Sequence, residues 1–267
     1  MPEMPKVKNL LAQLPPAESI DIPALKQSLA EGAVELVCVL GPTASGKTKY
    51  AVALARELGG EIISADSRQV YRGMDIGTGK DLSEYGEVPY HVIDVADPGD
   101  GYNVFRFRED FTRAYNDIRK RGAVPILCGG TGLYINAVTS GYDFSSHKPL
   151  SEPSAPSPGA PRTFFIGTLV SREERNERID ARLDSRLQEG MIDEIRGLLQ
   201  KGVPAQTLIS YGLEYKYVTL YILGELDYAS MRERLAIAIH QFAKRQMTWF
   251  RGMERSGAVI HWVNPKP

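Results

Sequence analysis

Apolar positions along the chain switch between two spacings. Residues 33–40 (AVELVCVL) form a short, nearly continuous apolar run that opens into a glycine loop, which predicts a buried strand. Over residues 47–58 the apolar positions, among them Tyr50, Val52, Leu54 and Leu58, fall at helical spacing. Residues 61–65 (EIISA) predict a second strand and residues 88–95 (VPYHVIDV) a third. A helix is expected over 104–120, closed by Arg121 and Gly122. Residues 124–128 (VPILC) predict another buried strand, running into Gly129-Gly130-Thr131-Gly132. Strands alternating with helices predict an α/β fold with a parallel sheet.

Residues 144–162 (FSSHKPLSEPSAPSPGAPR) break this pattern with five prolines and five serines, the composition of a linker. Strand character returns at 164–169 (FFIGTL), and the rest reads as helices over 171–189, 192–201, 214–223 and 228–253. Residues 1–33 read as a polar leader with one short helix near 21–31. The expected organisation is therefore a leader, a core over 34–143, a linker over 144–162, and a last core strand with a helical C-terminal part over 163–267.

Hydrophobic residues make up 43% of the 267, enough for a sizeable core. The formal net charge of −1 means that any nucleic acid must be held by local patches. The two cysteines, Cys38 and Cys128, sit in apolar runs and read as buried thiols suited to a reducing compartment. The N-terminus lacks a continuous apolar h-region, and no run approaches the ~18 apolar residues of a membrane span. A cytoplasmic protein is expected, with a monomer as the default state.

Chemistry enters at residues 41–50, GPTASGKTKY. Gly41, Pro42, Thr43, Ala44, Ser45, Gly46, Lys47 and Thr48 fit G-x-x-x-x-G-K-[ST], with a strand before and a helix after, the context of a P-loop. Its backbone N–H groups cradle phosphates, Lys47 neutralises their charge and the Thr48 hydroxyl can ligate Mg²⁺. The fold class expected is a P-loop NTPase-like parallel sheet flanked by helices, with a helical C-terminal part. In SADSRQVY (64–71), Asp66 falls at the C-terminal end of a strand, the edge that faces the ligand crevice. It could ligate a metal, accept a proton or simply make an Asx turn, and Asp94 in HVIDV competes with it. The GGTG loop allows close backbone approach to a ligand and offers the Thr131 hydroxyl. Arg172, Arg175, Arg178, Arg182 and Arg186 share one helical stripe, which suits either a solvated, ion-paired face or a phosphate clamp. Between His240 and Arg255 four Lys/Arg stand against one acid, with Phe242, Trp249 and Phe250 interleaved. Basic charge with aromatics suits nucleic acid, although core-like spacing marks most of these aromatics as packing.

Together the stretches GPTASGKT, EIISADSRQVYRGMDIGTGK, VPYHVIDVADP, PILCGGTGLYINAV, RIDARLDSRLQEGMIDEIRGLLQKG and FAKRQMTWFR resemble the tRNA dimethylallyltransferase family, in the family's order. The resemblance implies transfer of a dimethylallyl group from dimethylallyl diphosphate to N6 of an adenine in tRNA, beside the anticodon. It implies a P-loop that holds the diphosphate with Lys47 and with Mg²⁺ near Thr48, and Asp66 as general base. Thr131 would sit near the bridging oxygen, and Arg178 and Arg182 would clamp the leaving group. Ser67, Gln69 and Tyr71 would line the adenine side, with Lys244 and Arg245 toward the tRNA. Two departures stand out. The Pro/Ser linker replaces the family's helical insertion, which grips the anticodon stem, and the usual Gly-Tyr-Lys/Arg appears as Leu213-Glu214-Tyr215-Lys216. The alternatives are the same transfer to free AMP, ADP or ATP, a P-loop small-molecule kinase, or a nucleotide- or RNA-binding protein without turnover.

Overall fold

A computed structural model of the chain describes residues 15–140 and 159–265. The strand predicted before the glycine loop is β1 (Leu36–Leu40), and every one of its positions is buried. It lies in the middle of a six-stranded sheet with helices on both faces, which is why its sequence is continuously apolar. β1 pairs in parallel with β4 (Val124–Gly129) on one side and β5 (Thr163–Thr168) on the other, with Cys38 opposite both Leu127 and Phe165. Beyond β4 lie β2 (Gly60–Ser64) and the two-residue β3 (Tyr90–His91). Beyond β5 lies β6 (Ile260–Val263), giving the order β3-β2-β4-β1-β5-β6, parallel throughout.

Alternation along β1 sorts its side chains into two cores. Val37 and Val39 pack with Ile62, Ile126 and Ile166 under α1 (Ile22–Ala30) and α2 (Lys47–Leu58). Leu36, Cys38 and Leu40 face the larger core. It is built with α3 (Val104–Lys120), α4 (Gly132–Thr139), α5 (Arg172–Gln188) and α6 (Met191–Gln200). The same core takes in α7 (Ala205–Ser210), α8 (Leu213–Ile222) and the 28-residue α9 (Tyr228–Arg255). The C-terminal helices thus share a core with the α/β part, and β5 and β6 complete its sheet.

The strand expected over 88–95 shrinks to Tyr90–His91. Pro89 precedes it, and the chain then leaves the sheet through left-handed φ at Val92 (62°) and Asp94 (55°). Asp94 does not end a strand beside the phosphate loop. Its carboxylate accepts a hydrogen bond from Lys80 Nζ at 2.5 Å, so it is a partner to a buried lysine. The linker expected over 144–162 lies outside the described residues except for 159–162, as do residues 1–14 of the leader.

Candidate active site

The phosphate loop joins β1 to α2. Ser45 is fully buried, and its Oγ lies 2.7 Å from Thr168 Oγ1 at the end of β5. Gly46 takes φ 79°, a left-handed conformation that glycine adopts without strain. Ala44 holds φ 62° without that freedom, the backbone strain common at ligand clamps. Lys47 and Thr48, the first two residues of α2, line a cleft with Thr43, Asp66, Arg68, Gln69, Gly129, Arg182, Arg186 and Gln246. The free N–H groups at the start of α2 add to its anion-binding character.

Charge sets the character of this cleft. Four cations, Lys47, Arg68, Arg182 and Arg186, share it with two carboxylates, Asp66 and Glu214. Burial pulls the Lys47 ammonium below its ordinary pKa, with Arg182 and Arg68 pushing the same way. Burial, then the neighbouring Arg182, brings Arg186 down to about 10. Crowded, desolvated cations of this kind are stabilised by a polyanion. Arg68 is held by Glu214 at 2.7 Å, and Glu214 is itself buried.

Asp66 follows β2, and its Oδ1 accepts from the Arg68 backbone N–H at 2.9 Å. Oδ2 has no hydrogen bond among the described residues. Thr131 Oγ1 accepts from the Ser67 N–H at 3.1 Å, tying the GGTG loop to the residue after Asp66. Gln69 accepts from Ser64 Oγ at 3.0 Å and donates to the Gly79 carbonyl at 3.0 Å. Tyr71 departs from expectation. Its ring stacks on Tyr211 at 4.3 Å and its hydroxyl donates to the Asp100 carbonyl, so it backs the loop and does not line the cleft.

The arginine stripe divides. Arg182, as expected, and Arg186 face the cleft, and both lie near Asp81, with Arg182 hydrogen-bonded to it. Arg178 sits at the rim beside Gly46, with its guanidinium 2.5 Å from Glu174 one turn earlier. The Arg175 Nε is buried without a hydrogen-bond partner. Lys244 and Arg245 are exposed on the outer face of α9 and are not among the cleft residues.

Two positioning groups emerge only in three dimensions. Gln246 reaches in from α9, where its Oε1 accepts from the Thr43 N–H at 2.8 Å and its Nε2 donates to the Gly130 carbonyl at 2.9 Å. It clips the phosphate loop to the GGTG loop. A Cβ on Gly130 would lie 2.3 Å from that Nε2, so a side chain there would push Gln246 off its bond to the Gly130 carbonyl. Gln246→Leu leaves the buried Gly130 carbonyl and the part-buried Thr43 N–H without their partner and is expected to cost about 1–3 kcal/mol in urea unfolding. A stability equal to the parent's would contradict this role. The second group is Glu194 on α6. Its carboxylate accepts from the N–H groups of Asp75, Ile76 and Gly77 at 2.8, 2.7 and 3.1 Å and from the Tyr215 hydroxyl at 2.7 Å. It holds the turn whose Thr78 and Gly79 form one wall of the cleft.

Comparison with known proteins yields consistent likenesses. A family model described as IPP transferase matches residues 69–155 and 144–253, and one described as isopentenyl transferase matches 34–87. The chain is 47% identical to tRNA dimethylallyltransferase 1 of Parabacteroides distasonis, covering 86% of this chain and 92% of that one. The same figures hold for tRNA dimethylallyltransferase 2 of Bacteroides fragilis. The first of these alignments runs over 283 positions while drawing on 86% of a 267-residue chain, so it carries long gaps on this chain's side. Among solved structures, the tRNA isopentenylpyrophosphate transferase of Bacillus halodurans superposes with a TM-score of 0.75 at 33% identity, over 86% of this chain and 89% of that one. A eukaryotic dimethylallyltransferase acting on tRNA shares the fold at 22% identity, with a TM-score of 0.71 over 86% of this chain and 74% of its own.

Proposed function

The chain belongs to the IPP transferase family, and on that footing we propose that it transfers a dimethylallyl group from dimethylallyl diphosphate to N6 of an adenine in tRNA, beside the anticodon. The observation that carries the residue roles is the asymmetry of the cleft. The phosphate loop with Lys47, Arg182 and Arg186 lines the same cleft as Asp66, whose Oδ2 carries no hydrogen bond among the described residues. The loop and its cations suit a diphosphate leaving group, and the carboxylate suits the acceptor amine.

In the reaction N6 attacks the allylic carbon, the carbon–oxygen bond to diphosphate breaks, and N6 loses a proton. The loop N–H groups, Lys47, Arg182 and Arg186 bind the diphosphate and stabilise its growing charge as the allylic carbon becomes cation-like. Arg178 closes the rim beside Gly46. Oδ2 of Asp66 takes the N6 proton while Oδ1 stays anchored to Arg68. Thr131 stands toward the bridging oxygen, and Ser67 and Gln69 line the adenine side. No group of three metal-ligating side chains occurs among the described residues. A hydroxyl such as Thr48's, completed by diphosphate oxygens and water, suits a hard octahedral ion, so Thr48 would hold Mg²⁺ there. Such an ion supplies charge neutralisation to the leaving group. No helix among the described residues is long and apolar enough to cross a membrane. A tRNA acceptor supports a cytoplasmic site of reaction.

The test supplies labelled dimethylallyl diphosphate with unmodified tRNA or with free AMP. Label in tRNA alone is the expected result. Label in AMP alone would sink the tRNA reading, and ATP consumption without transfer would indicate a kinase.

A further inference from the structure

Resting on the reading of Asp66 as the proton acceptor, we infer that Glu214 is a positioning residue for the transfer. It holds the Arg68 guanidinium off Asp66 and so keeps Oδ2 open to the N6 amine. The two acids share one arginine. Among the described residues, Glu214 and Asp66 are the carboxylates within ion-pair distance of Arg68. Its Nη1 lies 2.7 Å from Glu214 Oε2, whereas its Nε lies 3.9 Å from Asp66 Oδ1, at the outer limit of such a pair. Glu214 takes the short bond, and the hydrogen bond that Asp66 accepts comes from the Arg68 backbone N–H.

The surroundings confine the guanidinium to a choice between these two acids. It lies over the Phe242 ring, 5.4 Å from Cζ to the centroid. A Cβ on Gly212 would come within 2.8 Å of Arg68 Cδ, so the backbone ahead of α8 packs against the arginine stem. The side chains of Arg68 and Glu214 are only 18% and 6% exposed. Burial opposes the Arg68 charge, but Glu214 and then Asp66 outweigh it and raise its pKa above the ordinary value. Glu214 stands in the first turn of α8, where the helix dipole favours a negative charge. In the sequence it marks the departure Leu213-Glu214-Tyr215-Lys216, in place of the glycine of the usual Gly-Tyr-Lys/Arg. A glycine there would offer Arg68 no counter-charge.

Removing one partner of a buried pair strands the other charge. Without Glu214, the acid left in reach of Arg68 is Asp66. A carboxylate drawn against an arginine loses about 1–3 pKa units of basicity. A weaker base slows removal of the N6 proton, and an oxygen held by the guanidinium is no longer open to the amine. The diphosphate loses no cation by this change, and the cleft loses one negative charge.

The test is a double-variant cycle read with labelled dimethylallyl diphosphate and tRNA. Glu214→Gln should lower kcat about tenfold, while affinity for dimethylallyl diphosphate holds or tightens. Adding Arg68→Met removes the stranded charge but keeps the backbone N–H that anchors Asp66, and it should raise kcat by at least about threefold over the single variant. A merely structural role predicts the reverse, because the second substitution would add damage of its own. A kcat at the parent's value in Glu214→Gln overturns the inference, and so does a double variant no faster than the single one. If Glu214→Gln fails to fold by circular dichroism, Glu214→Asp replaces it. Its carboxylate is drawn back by one carbon, and kcat should fall about threefold with diphosphate affinity intact; an unchanged kcat overturns the inference equally. Failure of the underlying reading looks different. A parent that puts no label into tRNA removes the tRNA reading, and Asp66→Asn turning over at the parent's rate removes Asp66 as the base. Both arms are read before any Glu214 variant.

Discussion

Asp66→Ala is expected to lower kcat for prenyl transfer by about 10³-fold while affinity for dimethylallyl diphosphate holds. The split follows from where the carboxylate stands. Oδ1 is committed to the Arg68 N–H, and Oδ2 is the oxygen left for the amine proton. The diphosphate is gripped by Lys47, Arg182, Arg186 and the loop, none of which depends on Asp66 for its conformation. Exocyclic N6 is a weak nucleophile, so removing its proton acceptor strikes the chemical step. Asp66→Asn sharpens the test, because the amide oxygen keeps the bond to Arg68 while the group can no longer take a proton. Single-turnover rates with titration of the diphosphate separate the two effects. Turnover equal to the parent's in Asp66→Asn would eliminate Asp66 as the base.

Lys47→Met should weaken diphosphate binding by about 10²-fold, the scale for truncating one member of a desolvated charge pair. Its effect on the empty protein has the opposite sign. Burial and the neighbouring Arg182 and Arg68 disfavour the Lys47 charge before any anion arrives. The variant without ligand should therefore melt at or above the parent's temperature, and the order should reverse when dimethylallyl diphosphate is added. Thermal unfolding with and without the diphosphate checks both halves. A variant that melts lower in both states would show that Lys47 is structural. The same depressed pKa gives a pH signature. The anion prefers the protonated amine, so affinity falls as pH rises through the lowered pKa, earlier than for an ordinary lysine.

Local chemistry was the legible part of the site, and distance decided the rest. The phosphate loop, Asp66 and Thr131 stand in short motifs at strand ends, so the sequence reveals them without any tertiary knowledge. Gln246 is 203 positions from the Thr43 it holds, and Glu194 is 119 from Asp75, and no periodicity links such pairs. Arg186 belonged to the visible stripe, but a stripe alone does not show which turn of the helix faces the cleft. The α2 and α3 boundaries match the expected residues because each helix has a polar face that gives its period away. α4 was missed because six of its eight residues are buried and its sequence is almost uniformly apolar. α7 and β6 are too short, at six and four residues, to display a period.

The bond between Ser45 and Thr168 also bears on when the phosphate loop can form during synthesis. The two hydroxyls are 123 positions apart, and Thr168 arrives at the end of β5, the strand that flanks β1. At about 5–20 residues per second on the ribosome, roughly 6–25 s separate their emergence. β4 can pair with β1 earlier, but the other edge of β1 stays open throughout that interval, an aggregation-prone arrangement. The most recognisable motif in the sequence is thus among the late parts of the molecule to mature. A nascent chain stopped before β5 carries the whole phosphate signature without the hydroxyl that braces it.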